Sequence, residues 1–234
     1  MEPFEREGLA DWIGPLLDGA FVTLQIALAA YALGLMLGLA GAAAKLGGSA
    51  TLRGIAAAYT SLVRAIPELL LIILLYYAGT QGLNAALQAA GYGGRVEISG
   101  FVAAVTVLAF VQGAYMTEVL RGAIVAIPKS LTEAADSFGM SRGLRFRRII
   151  VPLMLPNALA GMSNLWLILL KETALVSVVG FEELFFTAQQ AAASTRLYAT
   201  FYLAAGALFL AMTLASNVVF HFAERRLRRG QARG

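Results

Sequence analysis

Residues 129–152 read KSLTEAADSFGMSRGLRFRRIIVP, a polar and basic island between two long apolar runs. Uncharged stretches lie between Asp18 and Lys45, Glu68 and Arg95, Glu97 and Glu118, Arg148 and Lys171, and Arg196 and Glu224. Each holds about 20 residues or more, enough to cross a hydrocarbon core of about 30 Å as a helix. Backbone polar groups in lipid must bond within the segment, so helices are the expected form. The chain is 59% hydrophobic and 14% charged over 234 residues, which leaves too little polar surface for a soluble domain. The expectation is an all-α integral membrane protein with five spans.

The charges also orient the spans. One set of loops and the C-terminal tail carry Lys45, Arg53, Arg121, Lys129, Arg142, Arg145, Arg147, Arg148, Arg225, Arg226, Arg228, Arg229 and Arg233, whereas the other set carries Arg6, Arg95 and Arg196. Basic residues concentrate on the cytoplasmic side, which places the N-terminus outside and the C-terminus inside. Glu2, Glu5, Glu7 and Asp11 precede the first span, the reverse of a signal peptide's basic lead. Residues 1–18 form an external segment, with a surface helix expected at Trp12 and Ile13. A transmembrane domain covers 19–223, with a cytoplasmic loop at 123–147, and 224–234 form a basic tail. The positive excess marks topology and contact with anionic lipid, not nucleic acid.

Within the island, Leu131, Ala134, Ala135 and Phe138 follow helical spacing. Ser130 or Thr132 can cap this short helix, and Glu133 complements its dipole. Gly139 lets the chain turn into a second basic segment, Ser141–Arg148. Two small helices at an angle suit either a groove on a soluble partner or the lipid interface. Elsewhere, Gly34 and Gly38 have the spacing that lets helix backbones approach. Arg64-Ala-Ile-Pro67-Glu68 interrupts the second span, because proline removes a backbone donor. Residues 171–196 are semi-polar and expected outside, dipping into the membrane at 173–180.

The island resembles the EAA loop of permease subunits of bacterial ABC importers. It has Glu133-Ala134-Ala135, three residues, Gly139, nine residues, Ile149, one residue and a hydrophobe before Pro152, with Val151 in place of the usual Leu. The likeness extends over nearly the whole chain through LVRAIPEL at 62–69, GAYMTEVLRGA at 113–123, AIPK at 126–129 and LKETALVS at 170–177. It is similar to the polar-amino-acid branch, above all to permeases for histidine/lysine/arginine/ornithine, arginine and opines. Ala65 stands where glycine usually follows the arginine.

The resemblance implies a type I importer permease fold in the bacterial inner membrane. It implies a second permease subunit (the same chain or a paralogue), two ATPase subunits inside and an extracytoplasmic solute-binding protein. ATP and Mg would be bound by the ATPase, with no cofactor or metal in this chain. Coupling would pass through Glu133, Ala134, Ala135, Phe138, Gly139 and Arg142, switching the cavity between inward and outward access. Glu68 matches permeases handling cationic amino acids and is a candidate for contact with a basic group; an Arg64–Glu68 ion pair is the alternative. Gln112 and Tyr115 are candidate cavity residues, while Glu118 and Arg121 are spaced to pair with each other. Asn164 and Trp166 offer an amide and a ring edge at membrane depth. Lys171 lies beside Glu172, Thr173 and Ser177, where an unwound segment would receive a substrate carboxylate on its amides. His221 lacks a partner motif and reads as interfacial.

Zero cysteines exclude thiol chemistry. The chain holds no phosphate-binding loop, metal-ligand cluster or nucleophile–base pair, so a catalytic role is not expected. A self-sufficient carrier or channel is the alternative reading on physical grounds alone.

Overall fold

Apolar runs too long for strands fold as helices throughout the described residues. A computed structural model describes residues 8–94 and 98–228, the Arg228 side chain excepted. The helices are α1 (Leu9–Gly47), α2 (Ala50–Ala65), α3 (Glu68–Ala89), α4 (Gly100–Val125), α5 (Lys129–Ser137), α6 (Arg142–Arg145), α7 (Val151–Glu172), α8 (Leu184–Thr195) and α9 (Tyr198–Arg228). A wider π-helical turn at Phe146–Ile150 leads into α7, and a 3₁₀ segment at Thr173–Val179 leaves it. Five of these elements are long and apolar enough to cross a membrane, as expected.

The central seam is α1 against α4. Gly34 faces Gln112 and Gly38 faces Met116, and a Cβ added at Gly38 would lie 2.6 Å from the Met116 side chain. Small residues at this spacing bring the two backbones together, so the Gly34/Gly38 motif serves packing within the chain. α7 closes on α4 beside Val119, where Gly161 removes the obstructing Cβ. α3 lies at the periphery, its buried residues being Leu71 and Ile72. α9 presents Leu203, Val219 and Phe222 outward, as a lipid-facing helix does.

Three segments sharpen or correct the sequence reading. α1 starts at Leu9, not Gly19, and the Asp11 carboxylate accepts the Gly8 N–H at 2.9 Å. Trp12 continues this helix and meets Phe201 edge-on at 6.1 Å, so it packs within the protein and does not anchor a separate surface helix. The second span is two helices, since Ile66 and Pro67 are extended. Residues 171–196 fold as a 3₁₀ segment and α8 packed on the bundle: Leu184, Ala188, Ala191 and Ala192 are buried against Leu16, Ala20 and Phe201. Glu183, fully buried, caps α8 by accepting the Phe186 N–H at 2.9 Å and the Thr23 hydroxyl at 3.2 Å.

Polar side chains tie the loop end of the bundle. Lys45 Nζ bridges Glu118 and the Thr60 hydroxyl, the latter at 2.6 Å, and Arg121 meets the other oxygen of Glu118 at 2.9 Å. The expected Glu118–Arg121 pair exists, with Lys45 joining α1, α2 and α4 through it. Lys45→Met leaves a partly buried carboxylate short of a partner and is expected to lower stability by about 2 kcal/mol. Thermal unfolding checks this; Lys45→Met and Glu118→Gln combined should cost less than the sum of the two single effects, since both remove the same pair.

Candidate functional site

Two prolines four residues apart shape α7. Neither Pro152 nor Pro156 donates a backbone hydrogen bond, so the ladder is weakened where the helix begins. The turn before them widens, and the Val151 N–H reaches back to the Phe146 carbonyl. Next to this joint sits the coupling-loop candidate. α5 buries Ala135 while Phe138 at its end is 84% exposed. Gly139 has φ +71°, the left-handed conformation that favours glycine, and ends the helix there. Asp136 pairs with Arg145 and braces α5 against α6, while the Ser141 hydroxyl caps α6. Glu133, Ala134 and Arg142 are exposed beside Phe138 on this surface.

At the other end of α7, a polar cluster forms where α3 begins. The break at Pro67 prevents Arg64 and Glu68 from occupying successive turns of one helix. No Arg64–Glu68 ion pair forms, and the Arg64 guanidinium instead lies 5.5 Å from the centre of the Tyr115 ring. The Tyr115 hydroxyl donates to Glu68 at 3.2 Å. The Glu172 carboxylate lies beside that of Glu68. It is only 7% exposed, and its Oε1 is buried without a hydrogen-bond partner. One Arg and two carboxylates from α2, α3 and α7 thus surround Tyr115 of α4.

The other candidates separate from this cluster. Gln112 is buried and donates to the Leu165 carbonyl at 3.0 Å, stapling α4 to α7. Trp166 is buried edge-on against Tyr31 at 5.4 Å, in a core with Ala27 and Leu170. Both are packing residues and not cavity lining. Asn164 is exposed on α7. Lys171 lies in a hollow of about 300 Å³ with Phe185, Tyr202 and Phe209. Residues 173–179 are a hydrogen-bonded 3₁₀ turn, with the Thr173 and Ser177 hydroxyls donating to Leu170 and Ala174 carbonyls. No unwound segment exists there. His221 is exposed in a hollow between α7 and α9.

The sequence reading named neither Glu172 nor Arg64 as a substrate contact: Glu172 stood beside Lys171, and Arg64 stood in the break of the second span as an alternative ion-pair partner of Glu68. Leu165, Leu169 and Glu172 recur at helical spacing, and all three are buried, which is the signal that could have pointed to Glu172.

The family model described as binding-protein-dependent transport system inner membrane component matches residues 19–229. The chain belongs to that family. The permease is 40% identical over 223 residues to the octopine transport system permease protein of Agrobacterium tumefaciens (strain Ach5), covering 95% of this chain and 94% of that one. It is 41% identical over 213 residues to the histidine/lysine/arginine/ornithine transport system permease protein of Escherichia coli (strain K12), covering 91% and 93%. A solved amino acid ABC transporter with histidines superposes at TM-score 0.79 and 29% identity, covering 93% of the permease and 96% of that chain. An inward-facing methionine ABC transporter shares the fold at TM-score 0.73. The permease is thus a membrane component of a binding-protein-dependent transport system, and the self-sufficient carrier is set aside.

Proposed function

We propose that this permease imports a basic amino acid or opine, with Glu68 and Glu172 receiving the substrate's cationic group. The observation that carries this reading is the buried, unpartnered Oε1 of Glu172 beside Glu68. Two adjacent carboxylates inside a membrane protein are costly unless a cation joins them or they share a proton. The relatives named for octopine, arginine and histidine/lysine/arginine/ornithine transport point to the same class, since these solutes carry basic side chains.

In this reading the permease pairs with a second permease subunit, and an extracytoplasmic solute-binding protein delivers the solute. Two ATPase subunits grip the exposed surface of α5 and α6 around Phe138, and ATP and Mg bind to them alone. The excess of Lys and Arg on the α5–α6 side supports an N-terminus outside and a C-terminus in the cytoplasm. ATP binding displaces α5, the bundle switches access, and the solute passes from the outer to the inner side.

Uptake of labelled arginine, lysine, histidine, glutamine and glutamate into liposomes holding the whole transporter tests this. Cationic solutes should be taken up in an ATP-dependent manner, and Glu68→Gln or Glu172→Gln should reduce that uptake by about tenfold or more. Uptake of neutral or acidic solutes, unchanged by either substitution, would discard the carboxylate pair as the cation site.

A further inference from the structure

The carboxylate pair leaves one charge of the cluster without a role. Arg64 has no carboxylate within ion-pairing distance among the described residues, although Glu68 is four positions away. The extended Ile66–Pro67 link holds them apart, and the guanidinium rests over the Tyr115 ring. Arg64 stands four residues before Glu68, which opens α3, and no side chain caps that first turn. A guanidinium beside a helix N-terminus is a carboxylate receptor in charge and in hydrogen-bond geometry.

A free basic amino acid carries one carboxylate and two cationic groups. The cluster carries the inverse set, one guanidinium and two carboxylates. We propose that Arg64 receives the α-carboxylate of the substrate while Glu68 and Glu172 receive its ammonium and side-chain cation. Arg64 thereby selects basic amino acids over the corresponding decarboxylated amines. This rests on the reading of Glu68 and Glu172 given above. Occupied, the site is electrically neutral, and each of its charges meets an opposite one. Tyr115 organises both halves, with its ring under Arg64 and its hydroxyl on Glu68.

The test is equilibrium binding of labelled arginine and agmatine (arginine without its carboxylate) to the purified transporter in lipid nanodiscs, without the solute-binding protein. Omitting that protein isolates the selectivity of the membrane site. The native complex should bind arginine at least about tenfold more tightly than agmatine. Arg64→Gln should lose most of that difference by weakening arginine alone, whereas Arg64→Lys should retain a substantial part of it. Unchanged agmatine binding shows that the variant is folded. Equal weakening of both ligands, or of neither, would overturn the role of Arg64. If arginine binds and Glu68→Gln and Glu172→Gln leave its affinity unaltered while Arg64→Gln reduces it, the carboxylate pair fails and the anchor stands. If the native complex binds neither ligand, both assignments fall.

Discussion

Phe138→Asp is expected to abolish ATP-driven uptake and to release the ATPase from the membrane complex. At 84% exposure, Phe138 presents an aromatic ring to solvent at the tip of α5, with Ala135 buried behind it. Gly139 in the left-handed conformation and the Asp136–Arg145 pair hold that ring in place. Nothing in the isolated fold gains from exposing a ring this way, and a partner groove gains much. A buried aromatic anchor at a protein interface contributes about 2–4 kcal/mol, or roughly 30- to 1,000-fold in affinity. Asp adds the cost of desolvating a charge. Co-purification of the ATPase with the Phe138→Asp transporter measures the effect directly. Retained ATPase with normal uptake would mean that α5 is not the grip.

Gly38→Leu is expected to destabilise the fold more than any surface substitution. The first added carbon would already lie 2.6 Å from Cβ and Cγ of Met116, which is fully buried. Overpacking of this kind costs about 3 kcal/mol when neighbours can shift. Here the seam joins two whole helices, so α1 and α4 must separate along their length. Thermal unfolding in detergent should show a large fall in midpoint or no recoverable protein. Gly54→Leu is the control: an added Cβ there meets nothing within 4 Å, and the midpoint should hardly change. Similar midpoints for both variants would show that the α1–α4 seam is looser than its spacing implies.

These two positions illustrate what the sequence made readable. Gly34 and Gly38 announce a close helix contact by spacing, Pro67 announces a break, and the 129–152 island announces two short polar helices by charge contrast. Helix rotation was far less legible. Gln112 and Trp166 look like cavity residues by polarity, yet each turns into the bundle and packs there. Glu172 meets Glu68, and Lys45 meets Glu118, across long separations in sequence. Local periodicity gives the faces of each helix, but which faces meet depends on how all the helices settle together. The Ala-rich stretch in α8 reads as external by its modest hydropathy, and small side chains are what allow it to nest against α1 and α9.

The widened turn at 146–150 has a mechanical consequence. Beyond it, α7 is a rod of 22 residues, roughly 33 Å long, ending at Glu172. Its lower bearing is the one part of its hydrogen-bond ladder that two prolines have loosened. A swing of about 10° there carries the far tip through about 6 Å on a rod of that length. A shift of that size is enough to draw the two carboxylates apart. Under the proposed function, no long chain of side-chain relays is needed between the α5–α6 end and the charged cluster: a stiff lever on a soft pivot magnifies a small push.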